Sequence, residues 1–282
     1  MLLQPPKKLL KLVNLRKRNI TYMSVRGEKM LRLKVIACDV LNREISYLAS
    51  LSEHYTDVTF LHQGLHDTPE KLNKRLQHEI DRVNEGFPYN YFDTYPDYDY
   101  IIVCYGLCSN GITGISSQRL PLVVPKAHDC ITLLLGSKEK YLELFRQQPG
   151  TYWFSSGWIE RGWQPGELKY MTLQKEYIQK YGEDNAEYLM EMEQSWMKEY
   201  NNAGFISWNC FGNNEYYRSS TRSAASFLNW NFFEVPGNPK LLENMLNGRF
   251  NDNEVLIVPP GARIAASNDN DIITVEGDNQ DV

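Results

Sequence analysis

The sequence predicts an α/β fold built on a predominantly parallel, Rossmann-like sheet. Short apolar runs of about five residues alternate with longer segments whose apolar residues recur every three or four positions. The first pattern is typical of strands buried on both faces, and the second is typical of helices with one buried face. Strands that alternate with helices along a chain pair in parallel through right-handed crossovers.

The first half of the chain supplies four such strands. They are predicted at residues 33–37, 57–61, 100–103 and 121–125. A helix with Leu41, Ile45 and Leu48 on one face follows the first strand. A second helix starts at Thr68-Pro69, because a capping Thr followed by Pro at the first helical position is a common helix start. A third helix is predicted from Asp129 or Ser137 to about Gln147.

The second half repeats the alternation. Strands are predicted at residues 151–154, 205–208, 232–235 and 254–258, and helices at 167–201, 215–228 and after 238. The long helical stretch is expected to break near Tyr181-Gly182. Two α/β lobes with a cleft between them fit this order, and so does one continuous sheet.

These patterns divide the chain into four parts. Residues 1–30 form a basic N-terminal extension, 31–160 a first α/β lobe, 161–262 a helical segment with a second lobe, and 263–282 an acidic tail predicted to be disordered. The extension carries eight Lys and Arg residues and one Glu, which leaves 22 basic and 34 acidic residues for the rest. A body with that charge should not bind nucleic acid through its overall field.

Composition and cysteine usage place the protein in a broad class. Hydrophobic residues make up 42% and charged residues 23%, as in soluble globular proteins, and no apolar run is long enough to span a bilayer. Five cysteines are an odd number in a chain without a clear secretory signal. They predict a cytoplasmic protein that uses reduced thiols for metal binding or chemistry rather than for disulfides.

Thiols and an imidazole follow the predicted strand ends. Cys38, Cys104, Cys108, His128 and Cys130 all lie at or just after such an end. Because the carboxyl ends of parallel strands share one edge of a sheet, these side chains are expected to converge where ligands bind. Three or four thiolates, with or without an imidazole, suit zinc or an iron–sulfur cluster. These five residues are therefore the predicted metal ligands.

Two further interpretations stay open at this stage. The C-x-x-x-C spacing of Cys104 and Cys108 is a weak metal motif, because both thiols need not point the same way. In a metal-free alternative, Cys108 or Cys130 is a nucleophile at a helix N-terminus and His128 accepts its proton. In another, the protein is a non-catalytic carrier of a metal, cluster or corrinoid whose acidic body docks on a partner protein.

Other residues around these thiols have predicted roles. Lys126 would pair with an anionic substrate or a thiolate, and Asp129 would orient His128 or cap the following helix. Gly106 and Gly111 would let the backbone approach a small-molecule or cofactor ligand closely. Trp158 would offer it a stacking surface.

Three short motifs resemble an uncharacterised family of bacterial and archaeal proteins known as domain of unknown function 1638. They are CYGLC at residues 104–108, HDCI at 128–131 and LGSK at 135–138. The resemblance extends from about residue 30 to residue 261, and the family pattern carries Gly where this chain has Ser109. It implies no established reaction. The occurrence of members in organisms with corrinoid-dependent methyl transfer implies a setting in one-carbon and methyl metabolism.

Overall fold

The computed structural model describes residues 29–88 and 97–276. Its strands are β1 (Arg32–Cys38), β2 (Tyr55–Leu61), β3 (Tyr100–Cys104), β4 (Leu122–Pro125), β5 (Thr151–Phe154), β6 (Asn202–Ser207), β7 (Asn231–Pro236), β8 (Val255–Val258), β9 (Ile264–Ala266) and β10 (Ile273–Val275). Its helices are α1 (Asn42–Leu51), α2 (Pro69–Asn84), α3 (Cys130–Leu135), α4 (Lys138–Gln147), α5 (Ser156–Arg161), α6 (Glu167–Tyr181), α7 (Glu183–Gln194), α8 (Asn214–Leu228) and α9 (Lys240–Leu246). Short 3-10 turns lie at residues 39–41, 65–67 and 195–199.

The larger sheet has the strand order β2-β1-β3-β4-β8. Its first four strands are parallel, as the sequence predicts, and every residue of β1 is buried. Lys34 is buried within β1, where its ammonium group forms an ion pair with the carboxylate of Asp57 in β2 at 2.9 Å. The edge strand β8 pairs antiparallel with β4, which the alternation of strands and helices did not predict.

A second, separate sheet has the order β5-β6-β7, with all three strands parallel. The described residues therefore do not form one continuous sheet. One cluster of buried apolar side chains nevertheless runs from the first sheet to a face of the second, where Trp153 and Ile206 join it. The lobe boundary near residue 160 stays a prediction.

The strand order of the larger sheet creates a switch point. The chain moves outward from β1 to β2 on one side, and then returns to place β3 on the other side of β1. The connections that leave the carboxyl ends of two such strands run to opposite sides and leave a crevice, which is where ligands bind in open α/β sheets. Cys38 ends β1 and Cys104 ends β3, so the candidate residues lie beside this crevice.

The C-terminal part of the chain corrects one expectation. Residues 264–275, expected to be disordered, form the hairpin β9–β10, in which Ile264 and Ile273 are buried. The buried isoleucines explain why this stretch packs against the fold. Its acidic composition, without any basic residue, is what led to the expectation of disorder. Residues 1–28 of the predicted extension at 1–30, residues 89–96, and residues 277–282 of the predicted tail lie outside the described residues.

The long helical stretch breaks where the sequence predicts. α6 and α7 form an antiparallel pair separated by Gly182, which has a φ of 81° that favours glycine. α3 and α4 are likewise two helices separated by Gly136, so both predicted starts, at Asp129 and at Ser137, are used. Within the described ranges, no helix combines the length and apolar character needed to cross a membrane.

Candidate functional site

Three thiols lie near one another at the carboxyl end of the larger sheet. They belong to Cys38 at the end of β1, Cys108 after β3 and Cys130 at the start of α3. The charge of Cys38 raises the pKa of both other thiols, and that of Cys108 raises the pKa of Cys130. Because such an effect weakens with distance, the three side chains lie in the same region of the fold. Cys38 is buried and Cys108 and Cys130 are half-buried as residues, while burial of all three thiol groups raises their pKa values.

Backbone contacts bring Cys108 to Cys130. The amide of Leu107 donates to the carbonyl of Ala127 at 2.8 Å, and the amide of Cys108 donates to the backbone carbonyl of His128 at 2.9 Å. The segments that follow β3 and β4 therefore run side by side beyond the sheet. Gly106 permits this, because a Cβ there would lie 2.5 Å from the amide nitrogen of Asp129.

A left-handed turn holds Cys108 in place. Cys108, Ser109 and Asn110 have φ angles of 45°, 55° and 67°, and the amide of Gly111 donates to the carbonyl of Cys108 at 3.0 Å. This conformation costs a non-glycine residue about 1–2 kcal/mol. Strained backbone of this kind is concentrated at functional sites in proteins. Ser109 occupies a position that suits the Gly of the family pattern.

Asp129 caps helix α3 and so fixes Cys130. Its Oδ1 accepts a hydrogen bond from the amide of Ile131 at 2.9 Å, and its Oδ2 accepts one from the hydroxyl of Tyr141 at 3.2 Å. Burial raises the pKa of this carboxyl above its usual value. Its charge in turn raises the pKa of the Cys108 and Cys130 thiols. Capping is therefore the contact that the structure shows for Asp129.

The second half of the chain adds Trp158 to the site. Helix α5 starts against the turn that follows Cys38, so closely that a Cβ on Gly157 would lie 1.7 Å from the carbonyl oxygen of Val40. This contact carries Trp158 to the thiols, where its ring meets that of His66 edge to face at 5.6 Å. Trp158 thus lines the site, at a position the sequence predicted for ligand stacking.

Two buried hydrogen-bond donors lie beside the thiols. Among the described residues, the Tyr105 hydroxyl and Trp158 Nε1 have no hydrogen-bond partner. Tyr105 nevertheless lowers the pKa of the Cys38 thiol, and Trp158 lowers that of the Cys130 thiol. A neutral thiol is a weak acceptor, whereas a thiolate is the form that binds metals.

All three thiols are protonated at neutral pH. Burial, the largest cause in each case, raises the pKa of Cys38 to about 11, that of Cys108 to about 12, and that of Cys130 well above its usual value. Burial disfavours the charged form of a thiol. A cation that compensates the thiolate charge would reverse this preference.

Other predicted site residues lie elsewhere. Cys104 is fully buried at the end of β3, where burial alone raises its pKa to about 12. His128 is exposed, and a positive charge on its ring lowers the pKa of Asp129. Lys126 forms an ion pair with Asp271 of the C-terminal hairpin at 2.8 Å. In the part of the chain that the structure describes, no three His, Cys, Asp or Glu side chains are positioned to hold a metal ion as they stand.

Sequence reasoning assigned no role to Tyr105 or Tyr141. Tyr105 stands inside the CYGLC motif, but its side-chain direction depends on the turn that follows β3. Tyr141 lies twelve residues beyond Asp129 and reaches it because α4 folds back on α3. The only available signal was the tyrosine in the motif itself.

The fold and the site together define an α/β protein with a thiol group at the switch point of a parallel sheet. The chain belongs to the DUF1638 family, described as a protein of unknown function, whose family model matches residues 60–246. The matched span contains Cys108, Cys130 and Trp158, and it begins after Cys38. No curated protein and no solved structure matches the chain.

Proposed function

We propose that this protein binds a thiophilic metal, as a zinc ion or an iron–sulfur cluster, through Cys38, Cys108 and Cys130. The observation that supports the proposal is that three thiols from three separate segments lie near enough at the carboxyl end of the sheet for a charge on one to raise the pKa of another. Packing alone does not require sulfur at all three positions, since an apolar group of similar size would fill each. The ligand set differs from the predicted one in omitting Cys104 and His128.

The chemistry of the donor set fits such a metal. Thiolates prefer soft ions, and three of them leave one coordination position for a fourth ligand. Cys108 and Cys130 are only partly buried as residues, so we expect a small molecule, a cofactor or a partner protein to reach this position. Binding requires rotation of the side chains toward a common centre, because the thiols do not converge as they stand.

The raised pKa values favour this function over a metal-free nucleophile. A nucleophilic cysteine needs a lowered pKa, which a nearby cation or a polar site supplies. Here burial and the charge of Asp129 both act in the opposite direction on Cys108 and Cys130. Thiols that lose their protons only to a metal need a reducing compartment, so we place the protein in the cytoplasm as part of this proposal.

Metal analysis of anaerobically purified protein tests the proposal. We expect bound zinc, or iron with absorbance between 300 and 450 nm, in the wild-type chain. Cys38→Ser, Cys108→Ser and Cys130→Ser should each lose most of the metal, whereas Cys210→Ser should retain it because that cysteine is exposed on another loop. Retention of metal by all three site variants would refute the proposal. Turnover of candidate substrates by the loaded protein would then separate an enzyme from a carrier.

A further inference from the structure

The helix pair α6–α7 is the least buried part of the described fold. None of the fifteen residues of α6 is buried, and α7 buries only Ala186 and Met190. Large apolar side chains on both helices nevertheless face solvent, with Leu168 76%, Met171 60% and Tyr188 64% exposed. Exposed apolar residues are normal when scattered, but a group of them on adjacent helices marks an interaction surface.

The exposed apolar residues fall on helical stripes. On α6, Leu168, Met171 and Ile178 recur at spacings that place them on one face. On α7, Tyr188 and Met192 are four residues apart and share a face. Each helix therefore presents an apolar stripe in addition to the side that contacts its neighbour.

The charges within the two stripes have opposite signs, although Glu167 also lies beside the α6 stripe at the first turn of that helix. The α6 stripe includes Lys175, which lies between Met171 and Ile178 at the same helical spacing. The α7 stripe includes Asp184 and is flanked by Glu191. A surface that carries both signs on two parallel stripes is complementary to itself after a two-fold rotation, because α6 of one copy then faces α7 of the other.

The same surface continues into a groove beside α8. The groove has a volume of about 530 Å³ and is lined by Trp163, Leu168 and Tyr216. Trp163 is 51% exposed. Its neighbour Gln164 fixes the loop, because its side-chain amide donates a hydrogen bond to the carbonyl of Trp158 at 2.7 Å. A fixed loop that presents a tryptophan beside a groove is typical of the anchor points of protein interfaces.

We infer that the α6–α7 pair docks against the same pair of a second copy of this chain to form a four-helix bundle. A bundle buries the apolar stripes of all four helices, which a single pair leaves in water. The groove beside α8 receives apolar side chains from the other copy. This inference is independent of the metal site, which lies on the larger sheet.

Sedimentation velocity on the full chain tests the dimer. At about 100 µM the wild-type protein should sediment with twice the chain mass of 32.8 kDa. Met171→Glu places a charge in the interface and should raise the dissociation constant at least about tenfold. Leu142→Glu is the matched control, because Leu142 is 49% exposed on α4, outside this surface, and it should leave the dimer intact.

Circular dichroism of each variant separates dissociation from unfolding, and Tyr188→Glu provides a second interface variant. A wild-type chain that remains monomeric at this concentration overturns the inference. A dimer also overturns the inference if Met171→Glu and Tyr188→Glu both fold and weaken it no more than Leu142→Glu does.

Discussion

Single residues show that the site is suited to thiolates rather than to thiols. A buried donor without a partner costs about 1–3 kcal/mol, and Tyr105 and Trp158 each carry one. Both donors lower the pKa of a neighbouring thiol, whose sulfur becomes a strong acceptor only on losing its proton. Metal binding would therefore satisfy two donors that the protonated site leaves unsatisfied.

The affinity for metal should rise steeply with pH. The pKa values of Cys38, about 11, and Cys108, about 12, lie far above neutrality, and that of Cys130 is also strongly raised. Each thiol that binds the metal must release a proton, so affinity increases up to about tenfold per proton and per pH unit. Competition with a chromophoric chelator between pH 6 and 8 measures the slope. A slope near zero would show that these thiols are not the ligands.

Tyr105→Phe should weaken metal binding without unfolding the protein. The hydroxyl lowers the pKa of Cys38, so its removal makes the thiolate less stable. Loss of a group that supports a metal ligand typically costs about 10–100-fold in affinity. The same chelator competition measures the change, and Tyr188→Phe, on exposed α7, is the control. Equal affinities for the two variants would remove Tyr105 from the site.

Residue positions in the site were predictable only in part. Cys38, Cys108 and Cys130 were predicted as ligands because they follow strand ends, and the structure places them in one region at that edge of the sheet. Cys104 also follows a strand end but remains in the core. The difference arises from the left-handed turn at 108–110, which three non-glycine residues form and which the sequence did not indicate.

The contact between helices α1 and α5 buries an ionisable side chain, whose protonation affects stability. Glu44 of α1 is buried, and its Oε1 accepts a hydrogen bond from the hydroxyl of Ser156 in α5 at 3.1 Å. Its Oε2 has no partner among the described residues. Burial raises the pKa of this carboxyl to about 7, against the smaller effects of Ser156 and Arg43, while the charge of Glu160 adds to the rise. Glu44 also acts on the exposed thiol of Cys210.

Glu44→Gln should stabilise the protein above neutral pH. The pKa in the folded state is higher than the usual 4.5, so the wild type loses stability as pH rises from about 4.5 to about 7. The full loss corresponds to about 3 kcal/mol. Urea unfolding at pH 5 and pH 8 should show a smaller pH dependence in Glu44→Gln than in wild type. The exposed variant Glu70→Gln should behave as wild type, and equal pH dependence in all three would contradict the assignment.

Gly157→Ala should separate α5 from the turn after Cys38. A Cβ there would lie 1.7 Å from the carbonyl of Val40, so the helix must move. Overpacking of this kind costs about 1–3 kcal/mol in stability. Alkylation of Cys38 should become faster, as followed by mass spectrometry. Gly212→Ala is the control, since a Cβ at that position meets no atom within 4 Å. Unchanged stability and alkylation in Gly157→Ala would show that the contact is not tight.

Elements were easier to predict than their pairing. Apolar periodicity predicts the strands of the larger sheet. Capping residues predict the helix starts at 129 and 137, and glycine predicts the break at Gly182. The direction of β8 does not, because a buried apolar run reads the same in either orientation. The hairpin β9–β10 was hidden by its acidic composition, although Ile264 and Ile273 are buried.

At the scale of the whole molecule, the site depends on both halves of the chain. The larger sheet supplies three thiols at its switch point, and the second half supplies Trp158 through the contact of α5 with the turn after β1. No local motif contains this arrangement, since Cys38 and Trp158 are far apart in sequence. We propose that these three thiols, once their side chains rotate toward a common centre, form one metal site with three sulfur ligands.

X-ray absorption spectroscopy of the zinc-loaded protein tests that claim most directly. The account predicts one bound zinc ion with three sulfur ligands at about 2.3 Å. The Cys210→Ser variant should give the same spectrum, because that thiol lies on another loop. A zinc environment made only of nitrogen and oxygen ligands would contradict the account.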